Sequence, residues 1–147
     1  MRLSRKLALG AAAGVIPFLV GQSPAGAATA QDDDSITNLS FTSADGSPVI
    51  CNIFASHTVD TDFEEVGDLE VQLAMSGDSL CRGHLFLDIR YVNRQGGAAR
   101  VFADSGGSNL QHATVRDVGS TAVTVDHSVL FDDCSANCSH TLQTKTK

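Results

Sequence analysis

Among 147 residues the chain has no tryptophan, one tyrosine, and ten Lys+Arg against 17 Asp+Glu. So few large aromatic residues exclude an aromatic platform for sugars. The shortage of basic residues excludes nucleic acid and anionic membrane as partners, because both require a basic footprint. No segment carries apolar residues at helical spacing between capping residues, which excludes a helical or α/β fold. No repeat of fixed period occurs, which leaves a parallel β-helix a remote alternative despite the texture of residues 113–128.

Acidic residues are missing from residues 1–30, and what stands there is organised. Arg2, Arg5 and Lys6 form a positive start, and Leu7 to Val20 is an apolar run broken by Gly10, Gly14 and Pro17. Such a run is too short to cross about 30 Å of hydrocarbon as a helix. Small residues follow. Ala28-Thr29-Ala30 is an A-x-A cleavage signal, and Ala25-Gly26-Ala27 competes with it. No cysteine follows the run, which excludes a lipoprotein, and Ser4-Arg5-Lys6 matches a twin-arginine signal poorly. The expected organisation is a signal peptide over residues 1–30, an acidic flexible N-terminus over 31–35 and a β-sandwich domain over 36–147. The mature chain is expected to be secreted and extracellular, with no membrane span. Loss of residues 1–30 removes three bases and no acid, moving the net charge from −7 to −10. The mature chain is long enough to bury roughly two-thirds of its unfolded surface.

All four cysteines lie beyond the leader: Cys51, Cys81, Cys134 and Cys138. An even number behind a secretion signal reads as two disulfides. Cys134 and Cys138 are close enough for a local pair, which leaves Cys51 with Cys81. The chain-entropy relation gives about 2 kcal/mol for the short loop and about 3.7 kcal/mol for the long one. A zinc site from Cys134, Cys138 and His140 is the weaker alternative, since the spacing fits no strong zinc pattern and no fourth ligand is evident.

Period-two alternation runs through most of the mature chain. Leu39 and Phe41 share a face, as do Val49, Cys51, Ile53 and Ala55. Leu69 to Met75, Leu85 to Tyr91, Val101 with Ala103, and Val123 to Phe131 follow the same rule, with weaker strands at Val115–Val118 and Leu142. Turn residues separate these runs at Ala44–Pro48, Gln95–Gly97 and Ser105–Ser108. The fold class is therefore all-β, an antiparallel β-sandwich of seven to eight strands with two disulfides, a short Greek-key barrel being the alternative.

A cysteine on an early strand of an alternating sandwich resembles the immunoglobulin-like class in architecture. The Trp of that class is missing, and Cys81 comes too soon for its usual inter-sheet bridge. Two disulfides with a tight late pair, Cys134 and Cys138, in a small acidic secreted chain also resemble the neocarzinostatin family of antibiotic-carrying apoproteins. The C-terminal run His127-Ser128-Val129-Leu130-Phe131-Asp132-Asp133-Cys134, with Cys138, is similar to that of small secreted bacterial two-disulfide β-sandwich proteins of unassigned function. These resemblances imply a sandwich and a compartment. No site residue carries over from them.

Candidate chemistry is sparse. Gly77-Asp78-Ser79-Leu80 spells the signature of one lipase and esterase family, but the Asp-x-x-His partner motif occurs nowhere, and a serine without an oriented base is a weak nucleophile. The run reads better as a turn before Cys81. Asp60, Asp62 and Glu64, in a cluster with Glu65, Asp68 and Glu70, are weak calcium candidates, because hard cations take carboxylate oxygen. The EF-hand pattern fails where Glu65 replaces the required glycine, and a solvated loop accounts for the cluster. His127 has the inward parity of Val125 and Val129 and reads as a core histidine. Asn38-Leu39-Ser40 and Asn137-Cys138-Ser139 match the glycosylation sequon and, behind a bacterial-type leader, read as chance. At the C-terminal hairpin, a three-residue loop Ser135-Ala136-Asn137 places Asp132 opposite His140 and Leu130 opposite Leu142. The expected function is a secreted, non-enzymatic binding or surface-interaction domain, with no cofactor or metal, for a protein or envelope partner. The alternatives are a small-ligand carrier of the neocarzinostatin type and an inhibitor of an extracellular hydrolase presenting residues 105–111 or 56–68.

Overall fold

The computed structural model describes residues 28–61 and 67–147. The expected signal peptide, apart from its last three residues, lies outside the described residues. Eight strands follow in order: β1 Ala28–Thr42, β2 Pro48–Thr61, β3 Gly67–Gly77, β4 Gly83–Val92, β5 Ala98–Ser108, β6 Leu110–Val118, β7 Thr124–Phe131 and β8 Ser139–Lys145. They form two four-stranded sheets, ordered β1-β2-β3-β6 and β5-β4-β7-β8. The all-β sandwich read from the alternation is what forms.

The core lies between the sheets because the alternation gives every strand one apolar face. Phe41, Val49, Ile53, Val71 and Leu73 come from the first sheet, and Leu85, Leu87, Ile89, Val125, Val129 and Phe131 from the second. The rings of Phe41 and Phe131 stack at 4.0 Å across the interior. Two non-glycine residues in the left-handed region adjust the alternation. Asn38 (φ 56°) lets β1 turn inward first Ile36 and then Leu39 and Phe41. Asp117 (φ 66°) lies where the pairing shifts from Leu69–Val115 to Gly67–Val118, so both valines face inward across a bulge.

Residues 31–35, expected to be a flexible tail, are instead part of β1. β1 lies beside β2, and the Asp32 carboxylate accepts the Lys145 N–H at 2.8 Å, so this acidic stretch has backbone and side-chain partners. Ser105–Ser108, expected to be a turn, completes β5 through a bulge, because Leu85 pairs with Ser105 while Gly83 pairs with Ser108.

Both disulfides form as read: Cys51–Cys81 with Cα atoms 5.7 Å apart, and Cys134–Cys138 at 5.6 Å. Cys51 lies near the start of β2 opposite Gly77, and Cys81 lies in the crossover from β3 to β4. The first bridge therefore ties the crossover down over one end of the core, and both its sulfurs are buried.

The C-terminal hairpin has a different register from the expected one. Val129 pairs with His140, Leu130 with Ser139 and His127 with Leu142. Asp132 and His140 are not opposite each other. The segment after Phe131 bends away to β1 instead: Thr42 N–H donates to Ala136 O at 3.0 Å, Ser135 N–H to Thr42 O at 2.8 Å, and the Asn137 amide to Ser40 O at 2.6 Å. Its polar groups are satisfied by the first strand, so the disulfide loop lies outside the ladder. Asn137 does take the left-handed conformation (φ 62°) expected of it.

Candidate functional site

The outer face of the β5-β4-β7-β8 sheet is the most distinctive surface. Outward residues alternate with core residues, and the register sets them in rows. One row is Asp104, Phe86 and Ser128; the next is Phe102, Asp88 and Asp126; a third is Arg100, Arg90 and Thr124. His84 and Leu130 lie opposite each other at one end. Phe86, Phe102 and Leu130 are exposed on this face, Phe102 by 69%.

The charges between these apolar groups are held in place. Arg100 donates to both oxygens of Asp88, at 2.9 and 2.7 Å, a bidentate geometry that fixes the planar guanidinium. That hydrogen bond lowers the Asp88 pKa and raises that of Arg100. Arg90 donates to Asp126 at 2.8 Å, and the Gln143 amide donates to the other Asp126 oxygen at 2.8 Å. The Arg100 guanidinium also lies 4.8 Å over the Phe102 ring, and His84 stacks on Phe86 at 5.9 Å. The result is a face of anchored aromatics and mutually satisfied charges.

A second polar feature is buried between the sheets. His57 on β2 and His127 on β7 are 1% and 0% exposed and join through threonines. Thr146 Oγ1 donates to Thr121 O at 2.6 Å, which uses its only proton. It therefore accepts from His57 Nε2–H at 3.0 Å, and the other nitrogen of the neutral ring, Nδ1, accepts from Thr144 Oγ1–H at 2.7 Å. Thr144 in turn accepts from His127 Nε2–H at 2.9 Å. The chain of donors fixes both histidines as Nε2–H tautomers and leaves the His127 Nδ1 lone pair buried without a partner. Burial lowers both pKa values, that of His127 to about 4, with nearby His57 adding to the effect. The inward parity of His127 was legible. His57 was missed, although it continues the parity of Val49 to Ala55.

A polar cleft of about 340 Å³ opens between the β3–β4 crossover and the turn into β6, lined by Gly77, Asp78, Ser79, Arg82, Gly107 and Asn109 among others. The first three residues of the run that resembled an esterase signature line it, and no histidine is among its lining residues. The run is a turn: Cys81 N–H donates to Asp78 O at 2.9 Å, and Leu80 N–H to the Asp78 carboxylate at 3.0 Å. Gly77 serves the backbone: its φ is +125°, and a Cβ there would stand only 2.7 Å from Ile50 O, too close to fit.

Of the calcium candidates, Asp62 and Glu64 lie outside the described residues. Asp60 accepts a hydrogen bond from Thr29 Oγ1 at 3.1 Å. Among the described residues no group of three or more His, Cys, Asp or Glu side chains is arranged to hold a metal ion. No helix among them is long and apolar enough to cross a membrane. Comparison of the chain with protein-family models, curated proteins and solved structures finds no match.

Proposed function

We propose that this chain is a secreted, non-enzymatic binding domain that docks on a protein of the cell envelope through the outer face of the β5-β4-β7-β8 sheet. The observation that carries the reading is the exposure of Phe86, Phe102 and Leu130 within an ordered Arg–Asp lattice. Interface centres are enriched in aromatic residues and arginine, and clustered exposed apolar groups mark interaction sites. Charges already paired within the face lose less on desolvation than free ones, so a partner can cover them. The two disulfides fit an oxidising, extracellular compartment, and the positive, apolar leader supplies the route.

The rivals have less support. A carrier of an apolar ligand calls for an apolar cleft, and the cleft described here is lined largely by polar residues. An inhibitor calls for a protruding loop; residues 105–111 are strand except for Asn109, and residues 62–66 of the other candidate, 56–68, lie outside the described residues. Binding of labelled protein to washed envelopes of the producing cells tests the proposal. Phe86→Ser with Leu130→Ser is expected to weaken binding at least tenfold while leaving the melting curve near that of the unmodified chain. Equal binding by the folded double variant removes this face from the function.

A further inference from the structure

We infer that β5 is a self-pairing edge, through which two copies of this chain join their sheets antiparallel about a two-fold axis at Phe102. β5 is the outermost strand of its sheet, and among the described residues no strand pairs with its other side. An open edge presents unpaired N–H and C=O groups to another strand, and proteins usually blunt it with proline, lysine or a bulge. β5 contains neither proline nor lysine, and its only bulge lies beyond Ser105. The regular stretch is therefore Ala98–Ser105, and the window Ala99–Ser105 is centred on Phe102. That residue is the most exposed large apolar side chain described.

A two-fold axis makes an interface self-complementary, so the sequence on either side of the axis must complement itself. Antiparallel pairing about Phe102 sets each residue two before it against the residue two after it in the other copy. Arg100 then opposes the second copy's Asp104, Asp104 opposes its Arg100, and Phe102 opposes Phe102. Opposite charges and aromatic pairs are favourable cross-strand neighbours. Arg100 and Asp104 are both about half exposed, and Arg100 reaches Asp88 through only part of its donor set, so both can take up the new contact. The occupant is thus a second copy of this chain, chosen by the charge order Arg-x-Phe-x-Asp. The pairing continues one four-stranded sheet into eight strands with both outer faces on the same side. Its backbone pairing uses the open edge, while Phe102, Arg100 and Asp104 also border the outer face, so the dimer is read by mass in the absence of any envelope partner and the envelope test by the Phe86 and Leu130 variant.

The area of a seven-residue pairing is small, which sets the expectation of a concentration-dependent dimer at the weak end of specific association. Sedimentation equilibrium of the purified chain up to about 1 mM reads it directly. The unmodified chain is expected to approach twice its monomer mass. Arg100→Asp and Asp104→Arg, each alone, set like charges across the axis and are expected to stay monomeric. Mixing the two restores opposite charges at both contacts and is expected to restore the dimer. Because Arg100 also holds Asp88, Phe102→Lys is the second arm: it should melt like the unmodified chain and stay monomeric. A monomeric unmodified chain, a mixture no more associated than its components, or a dimeric Phe102→Lys protein would overturn the inference.

Discussion

His127 links the stability of the fold to pH in the acid range. Its ring is buried and neutral, its Nδ1 has no partner among the described residues, and burial sets its pKa at about 4 against about 6.5 in the unfolded chain. Between those values the unfolded state binds the proton and the folded state does not. The stability linked to this group is therefore fully present above pH about 6.5, is lost as pH falls towards about 4, and does not fall further below that. The displacement corresponds to about 3 kcal/mol. His57, lowered in the same direction by burial, adds to the loss. Melting temperature measured from pH 8 to pH 4 should drop through this window. His127→Leu should flatten the drop, and an equal slope in the two proteins would show that the histidine is not the cause. Sequence alternation placed His127 inside. It could not show that a second histidine, seventy positions earlier, meets it through Thr144, because the facing of two sheets is a long-range fact.

At the scale of strands, alternation revealed most elements, since each strand has one buried face. It failed where a strand uses the left-handed region to change face or where polar side chains bond backbone. β1 is the clear case. Three consecutive aspartates read as solvated tail, yet their backbone belongs to an edge strand whose other end holds the Cys134–Cys138 loop. The hairpin register failed for the same reason, because counting outward from a disulfide assumes that the disulfide lies within the ladder. Asn38 marks the face change in β1, and its left-handed backbone gives a test. A β-branched residue is strained there, whereas glycine is not. Asn38→Val should cost about 1–2 kcal/mol in urea unfolding. Asn38→Gly should lie within about 0.5 kcal/mol of the unmodified chain. Equal losses in both variants would show that the left-handed backbone at position 38 does not set the cost.

For the whole molecule, the sequence showed the number of strands, their class and the disulfide pairing, but not which strands neighbour each other. Nor did it show the candidate binding face, because outward Phe86 and Phe102 look like ordinary strand residues until register brings them beside Asp88 and Arg100. The two disulfides do unequal work. Cys51–Cys81 closes the longer loop and is buried over the end of the core, while Cys134–Cys138 closes a loop of a few residues near the surface. Replacing the first pair by alanines should lower stability by about 3.7 kcal/mol, and replacing the second by about 2 kcal/mol. Urea midpoints of the two double variants measure this, and a larger loss from the C-terminal pair would reverse the assignment.

Through the bond from the Lys145 N–H to the Asp32 carboxylate, the first strand touches the last, although they belong to different sheets. The strands that open and close the described fold therefore meet at one point. A glycine-rich linker from Lys147 to Asp32 can join these strands, and new termini can open at the exposed Gln95-Gly96 turn between β4 and β5. Such a circular permutant should form both disulfides and melt as one cooperative unit. Mixed disulfide pairings in its peptide map would show that the order in which the strands are joined, and not only their final arrangement, is needed to reach the fold.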